Sequence, residues 1–253
     1  MAAPISARID LRGQVAVVTG AARGLGRAIT LTLAREGATV VAADVLPCDE
    51  TVAAVTAAGG RAVVVRCDVT RPENVQALAT RARDLTGRIE ILVNNAGVVA
   101  TTPLEAVSLE EWHRVLAVHL TGSFLVTQAC FPLMRGQGYG KIVFMGSRAG
   151  RVGGNTASAS YVAAKGGVHA LVKRVAIDGA PHGVYANGVA PGPIRTAMTE
   201  QPFYEDESRQ TPLGRMGRPE DIAEAVLFLS SQASNFVTGI ILDVNGGLLM
   251  TPT

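Results

Sequence analysis

Residues 15–44 read VAVVTGAARGLGRAITLTLAREGATVVAAD, and the fold follows from them. The segment opens on a short apolar run, Val15–Thr19, and passes a glycine-bearing turn. It continues through residues 24–36 with Leu25, Ala28, Ile29, Leu31, Thr32 and Leu33 at helical spacing, then closes on a second apolar run, Thr39–Asp44. An unbroken apolar run too short for a buried helix reads as a strand covered on both faces. A strand, a helix and a second such strand form the repeating unit of a parallel sheet.

The rest of the chain repeats that unit. Strands are expected at 61–67, 89–93, 141–145, 183–189 and 240–244, with helices at 49–58, 72–86, 108–134, 157–180 and 219–230. An irregular stretch fills 191–218. The expected architecture is a doubly wound α/β Rossmann fold, a single domain over 1–253, with a seven-stranded, mostly parallel sheet and helices on both faces. In such a sheet the ligand site lies at the carboxyl ends of the strands.

Composition narrows the function. The chain has 253 residues, 48% of them hydrophobic and 17% charged, with a net charge of +2 and no basic run, so no nucleic-acid footprint is expected. Cys48, Cys67 and Cys130 are widely spaced and match no zinc pattern, which points to reduced thiols and a cytoplasmic location. Residues 1–14 lack a cationic start followed by an apolar core. No consecutive apolar run approaches the ~18 residues of a membrane span, so neither export nor a membrane partner is expected.

The first strand–helix turn, TGAARGLG at 19–26, places Gly20, Arg23, Gly24, Leu25 and Gly26 where a dinucleotide would be held. Glycines there let backbone N–H groups approach a pyrophosphate at the positive end of a helix. Asp44 ends the second strand, where a carboxylate accepts hydrogen bonds from adenine ribose hydroxyls and repels a 2′-phosphate. That favours NAD over NADP, although Arg23 beside the ribose could pair with such a phosphate. No Arg or Lys follows at Val45, Leu46 or Pro47.

Residues 160–167 read SYVAAKGG. On a helix Tyr161 and Lys165 sit at i and i+4, within mutual reach. A tyrosine titrates near 10 and exchanges protons poorly at neutral pH, whereas a fixed cation beside it favours the phenolate. Lysine occurs only at 141, 165 and 173, so composition does not force one here.

From residue 11 to 247 the sequence resembles the short-chain dehydrogenase/reductase family. The resemblance is carried in order by TGAARGLG, CDV at 67–69, NNAG at 94–97, Ser147, Tyr161 with Lys165, and PGPIRT at 191–196. It implies that Tyr161 is the acid/base, that Lys165 lowers its pKa and binds the nicotinamide ribose, and that Ser147 polarises the substrate oxygen. It further implies cofactor contacts from Asp68, Val69, Asn95, Ala96, Gly97, Pro191, Gly192, Ile194 and Thr196. His119, in VHLTGSF, stands where relatives carry an active-site asparagine that holds a relay water largely through its backbone carbonyl. A catalytic imidazole and a backbone role both remain open there. His113, His169 and His182 have no motif context and are expected at the surface.

The resulting expectation is an NAD-dependent oxidoreductase acting on a small-molecule secondary alcohol or ketone. Residues 196–218 would form a substrate lid, and Val98, Val99, Ala100 and residues 151–156 other walls. The family's habit implies a homotetramer or dimer, built in part on small residues of the Tyr161 helix. The alternatives are an NADP-dependent ketone or 3-oxoacyl reductase of the same fold and a non-catalytic dinucleotide-binding regulator. A lyase on this fold is disfavoured by Lys165 and the glycine turn.

Overall fold

A computed structural model describes residues 9–154, 156–196 and 209–250. Seven strands form one sheet: β1 (Val15–Thr19), β2 (Thr39–Asp44), β3 (Arg61–Arg66), β4 (Ile91–Asn94), β5 (Gly140–Met145), β6 (Val184–Pro191) and β7 (Ile241–Val244). Their order is β3-β2-β1-β4-β5-β6-β7, and every pairing among the described residues is parallel. The order reverses between β1 and β4, which opens a crevice at their carboxyl ends.

The helices are α1 (Gly24–Arg35), α2 (Asp49–Ala57), α3 (Pro72–Thr86), α4 (Leu109–Leu116), α5 (Gly122–Gly136), α6 (Ala149–Val152), α7 (Ala159–Gly179) and α8 (Pro219–Ser230). Alternate residues of a strand face opposite layers. Ala16 and Val18 of β1 join Ile29 and Leu33 of α1 and Ile222 and Val226 of α8 on one face. Val15 and Val17 join Val75 and Leu78 of α3, Val126 and Cys130 of α5, and Val168 and Val172 of α7 on the other. Both faces are therefore dry, which is why the strands read as unbroken apolar runs.

Three local features depart from the sequence expectation. The long helix at 108–134 is α4 and α5 joined by a π-helical turn, Ala117–Thr121, and the Ser123 hydroxyl bonds the His119 carbonyl across it at 2.7 Å. Strand β6 runs on to Pro191, paired with Val244. Helix α6 is too short for a periodic signal. The continuous run Leu109–Gly136 is long and apolar enough by length and composition to cross a bilayer, but it packs on α3, α7, β4 and β5 within the fold.

Candidate active site

A cleft of about 570 Å³ opens at the carboxyl ends of the strands. Gly20, Arg23, Gly24, Leu25, Gly26, Asp44, Asp68, Val69, Asn95, Ala96, Gly97, His119, Ser147, Tyr161, Lys165, Pro191, Gly192, Ile194 and Thr196 all line it. The structure thus gathers into one cavity every catalytic and cofactor-binding residue expected from the sequence, while of the described residues in the expected 151–156 wall only Gly154 and Thr156 line it. Residues 197–208, most of the expected lid, lie outside the described residues.

The glycines of the turn have different tasks. A Cβ on Gly26 would collide with the Gly20 carbonyl oxygen and fall 2.7 Å from Asn95 Nδ2, and one on Gly20 would fall 2.8 Å from Ala96 Cα. These two let β1, α1 and the loop after β4 close on one another. A Cβ on Gly24 would meet only Thr196 Cγ2, at 3.9 Å, so the open side of the turn faces the cleft. The N-cap of α1, Arg23, makes no side-chain capping bond, and the first turn holds no acidic residue. Among the described residues the first turn of α1 thus has neither a side-chain cap nor an acidic residue of its own, which suits an anion at the helix's positive end. A dinucleotide pyrophosphate fits that cradle.

Around the turn, polar side chains brace the backbone. Asn95 Nδ2 donates to Thr19 O (2.9 Å) and Gly20 O (3.1 Å), and Thr19 Oγ1 accepts from the Asn95 and Ala96 amides. Asp44 accepts from the Ala22 amide at 3.0 Å and from the Leu46 amide at 3.0 Å, which fixes its carboxylate at the end of β2. Asp68 does not cap α3. Its Oδ1 instead accepts from the Thr70 amide (2.9 Å) and hydroxyl (2.7 Å), holding the turn after β3 against the cleft.

Helix α7 begins where the Ser158 hydroxyl accepts the Tyr161 amide, a serine N-cap that fixes the start of the helix. Ser158 bonds Ser160 at 2.7 Å. Glu111 of α4 accepts from Ser160 (3.2 Å) and from Thr102 (2.6 Å), so α4, the loop after β4 and the head of α7 are tied together. Tyr161 and Lys165 follow one turn apart. The Lys165 ammonium donates to Met145 O at 2.6 Å and lies 5.6 Å from the Tyr161 ring centre. Lys165 is only 4% exposed, and burial pushes its pKa down to about 7. Ser147 follows Met145 by two residues, and its hydroxyl accepts from the Ala149 amide at 3.1 Å.

His119 is buried behind Tyr161, its ring edge-on to the phenol at 5.1 Å between centres. Its Nε2 lies 2.9 Å from Val98 O and 3.1 Å from Val98 N, while Nδ1 is buried without a hydrogen-bond partner. Burial, with Lys165 nearby, drives its pKa down to about 3, so the ring is neutral at physiological pH. His169, expected at the surface, is instead buried at 8% exposure against the turn after β5. The spacing of Tyr161, Lys165 and His169, four residues apart in turn, puts all three on one side of α7, but only the folded turn after β5 shows that side covered at His169.

Comparison with known proteins agrees with this geometry. Residues 20–249 match the family model described as enoyl-(acyl carrier protein) reductase. The chain is 42% identical over 244 residues to a 3-oxoacyl-(acyl-carrier-protein) reductase of Synechocystis sp., covering 95% of this chain and 98% of the relative. It is 42% identical over 240 residues to cis-4-hydroxycyclohexanecarboxylate dehydrogenase of Sinomonas cyclohexanicum, covering 92% and 96%. A solved short-chain dehydrogenase/reductase from Mycobacterium marinum superposes with a TM-score of 0.92 at 33% identity, covering 98% of this chain and all of that one. The chain belongs to the short-chain dehydrogenase/reductase family of oxidoreductases.

Proposed function

We propose that the protein transfers a hydride between NAD(H) and a small secondary alcohol or ketone, with Tyr161 as the acid/base. The carrying observation is that Tyr161, Lys165 and Ser147 line one cleft, with the Lys165 ammonium anchored on Met145 O. Tyr161 Oη gives a proton to the substrate oxygen in reduction and takes it back in oxidation. Lys165 stabilises the phenolate of Tyr161, and Ser147 Oγ polarises the same oxygen. Turn residues 20–26, Asp44, Asp68, Val69, residues 95–97, Pro191, Gly192, Ile194 and Thr196 would hold the dinucleotide, which supplies the hydride when bound. Val98, Val99 and Ala100 form an apolar wall.

His119 is assigned a holding task, not proton transfer. A ring that stays neutral down to about pH 3 is a poor base, whereas its contacts fix Val98 and the phenol.

Asp44 supports NAD, since its held carboxylate would repel a 2′-phosphate. A second reading is NADP-dependent reduction of a 3-oxoacyl thioester. It is favoured by the Synechocystis relative and by exposed Arg23 on the cleft. A panel of 2-propanol, cyclohexanol, cyclohexanone, ethyl acetoacetate and acetoacetyl-CoA, followed by nicotinamide absorbance with each cofactor, separates the readings. Turnover with NAD on the alcohols and simple ketones supports the first. Turnover confined to acetoacetyl-CoA with NADPH supports the second, and none on any pair removes both.

A cytoplasmic homo-oligomer completes the reading. Exposed Leu109, Phe124 and Ile177 on α4, α5 and α7 leave an apolar surface for a second copy. Gly167 is already covered by Leu120 of its own chain. Sedimentation equilibrium should give a dimer or tetramer, and a monomer at micromolar concentration would contradict this.

A further inference from the structure

His169 lies outside the cleft, one turn beyond Lys165 and two beyond Tyr161 on α7, on the face turned toward the end of β5. Its Nε2 accepts the Ser147 backbone N–H at 3.4 Å. The other hydrogen bonds of Ser147 are local: its hydroxyl accepts from the Ala149 amide at 3.1 Å and its carbonyl from the Gly150 amide at 3.1 Å. The bond to His169 therefore ties the Ser147 amide itself to the helix bearing Tyr161 and Lys165, beside the Lys165 bond to Met145 O.

The imidazole occupies a fitted slot. A Cβ on Gly146 would fall 2.5 Å from His169 Nε2, and one on Gly150 would fall 3.0 Å from its Cε1. Neither glycine has a positive φ, so the backbone does not require glycine at either position. At Gly146 the ring does; at Gly150 the ring shares that task with the α7 backbone, since a Cβ there would also fall 2.8 Å from Lys165 C. The two glycines thus let the turn close on α7 and leave room for one buried side chain whose only polar contact among the described residues is the amide of Ser147.

We propose that His169 is a positioning residue for Ser147, holding the serine hydroxyl at the substrate oxygen by accepting its backbone N–H. The inference rests on the hydride-transfer reading for its kinetic consequence but not for its geometry. A ring accepting through Nε2 carries its proton on Nδ1. Burial holds the His169 pKa down to about 4, which keeps that acceptor available at working pH. Without it the Ser147 amide loses its partner on α7; the Gly146 and Arg148 amides stay bonded to Val189 O and Pro191 O of β6, and Ser147 between them can shift relative to Tyr161. A shift of about 1 Å in a reacting group costs up to roughly 100-fold in rate.

The direct test needs no substrate. In the isotope-labelled parent protein at pH 7, the Ser147 amide should be protected from solvent exchange, and the His169 Nε2 resonance should be that of an unprotonated acceptor. A rapidly exchanging Ser147 amide, or a protonated Nε2, overturns the proposal. The kinetic test uses NAD and the alcohol that the parent turns over best in the panel. His169→Met should lower kcat by about 10-fold or more with the NAD dissociation constant unchanged. His169→Gln, which returns an acceptor near the Nε2 position, should recover most of the loss. In a Ser147→Ala background His169→Met should cost less than about 2-fold, because the group it positions is gone. Equal losses in both backgrounds, or no rescue by glutamine, would mean general packing and overturn the assignment. If the parent turns over none of the panel, the hydride-transfer reading fails while the amide measurement still decides the bond.

Discussion

At the residue scale, the site divides into side chains whose chemistry the sequence displayed and side chains whose surroundings it concealed. Asp44 belongs to the first group. Its carboxylate is held by the Ala22 and Leu46 amides, so its negative charge stays at the end of β2 on the cleft. Asp44→Asn should lower the NAD-over-NADP ratio of kcat/KM by about 10-fold or more, the scale of one charged hydrogen bond. An unchanged ratio in paired kinetics would show that Arg23 or the lid sets the preference. His119 belongs to the second group: the sequence marked it as unusual and left both a backbone and an imidazole role open. Its neutral ring pins Val98 and meets Tyr161 edge-on, which only the folded chain reveals. His119→Ala removes the Nε2 partner of Val98, carbonyl or amide according to the tautomer, and should cost about 1–3 kcal/mol in denaturant unfolding. His119→Asn should be closer to the parent in both stability and kcat, and the two variants should share the parent's kcat–pH limbs between pH 5 and 9. A limb lost from that window on removing the imidazole would restore it as a proton carrier.

At the element scale, the strands and helices were legible because both faces of the sheet are buried. β2, α3 and α8 fall on their expected bounds, where Pro72 and Pro219 open the helices. The π-turn was not legible, because apolar spacing continues through residues 117–121 and the Ser123 hydroxyl that bonds the His119 carbonyl four residues back fits an ordinary helix pattern equally well. His169 was misread for a related reason. Single-sequence reading places a lone polar residue on a helix outside, and only the fold reveals the slot between Gly146 and Gly150. The glycine turn was legible as a motif, yet the division of labour within it needed the packing. Gly26→Ala would drive a methyl into the Gly20 carbonyl, and overpacking of this kind costs about 1–3 kcal/mol. We expect a lowered unfolding midpoint together with loss of NAD binding by calorimetry. Retention of both would show that β1 and α1 can separate without disturbing the cleft.

At the scale of the whole molecule, the two buried histidines make the fold sensitive to acid. Burial, with Lys165 and Arg114 nearby, holds His119 near 3; burial, with Arg151, Lys165 and Lys173 nearby, holds His169 near 4. Both lie below the 6.5 of a free imidazole, so below pH 6.5 the unfolded chain takes up protons that the folded chain refuses. Their stabilisation is therefore present above pH 6.5 and is lost as pH falls toward the folded values. Lys165 and Lys141, held near 7 and 8 by burial, are charged in both states below pH 6 and add no slope there. Between pH 4.5 and 6, unfolding free energy should fall by up to about 1.4 kcal/mol per pH unit for each histidine. The slope should shrink by about half in His169→Gln, and a flat profile would mean that one or both rings are charged in the folded protein.

The central claim is that Tyr161 carries the proton in a hydride transfer across the cleft between β1, β4 and β5. The most direct measurement compares Tyr161→Phe with the parent, reading NAD affinity by calorimetry and turnover on the best panel substrate by nicotinamide absorbance. The account predicts NAD affinity within about 3-fold of the parent and a turnover loss of at least about 100-fold, the scale of general acid–base catalysis. Substantial turnover in the phenylalanine variant would contradict it.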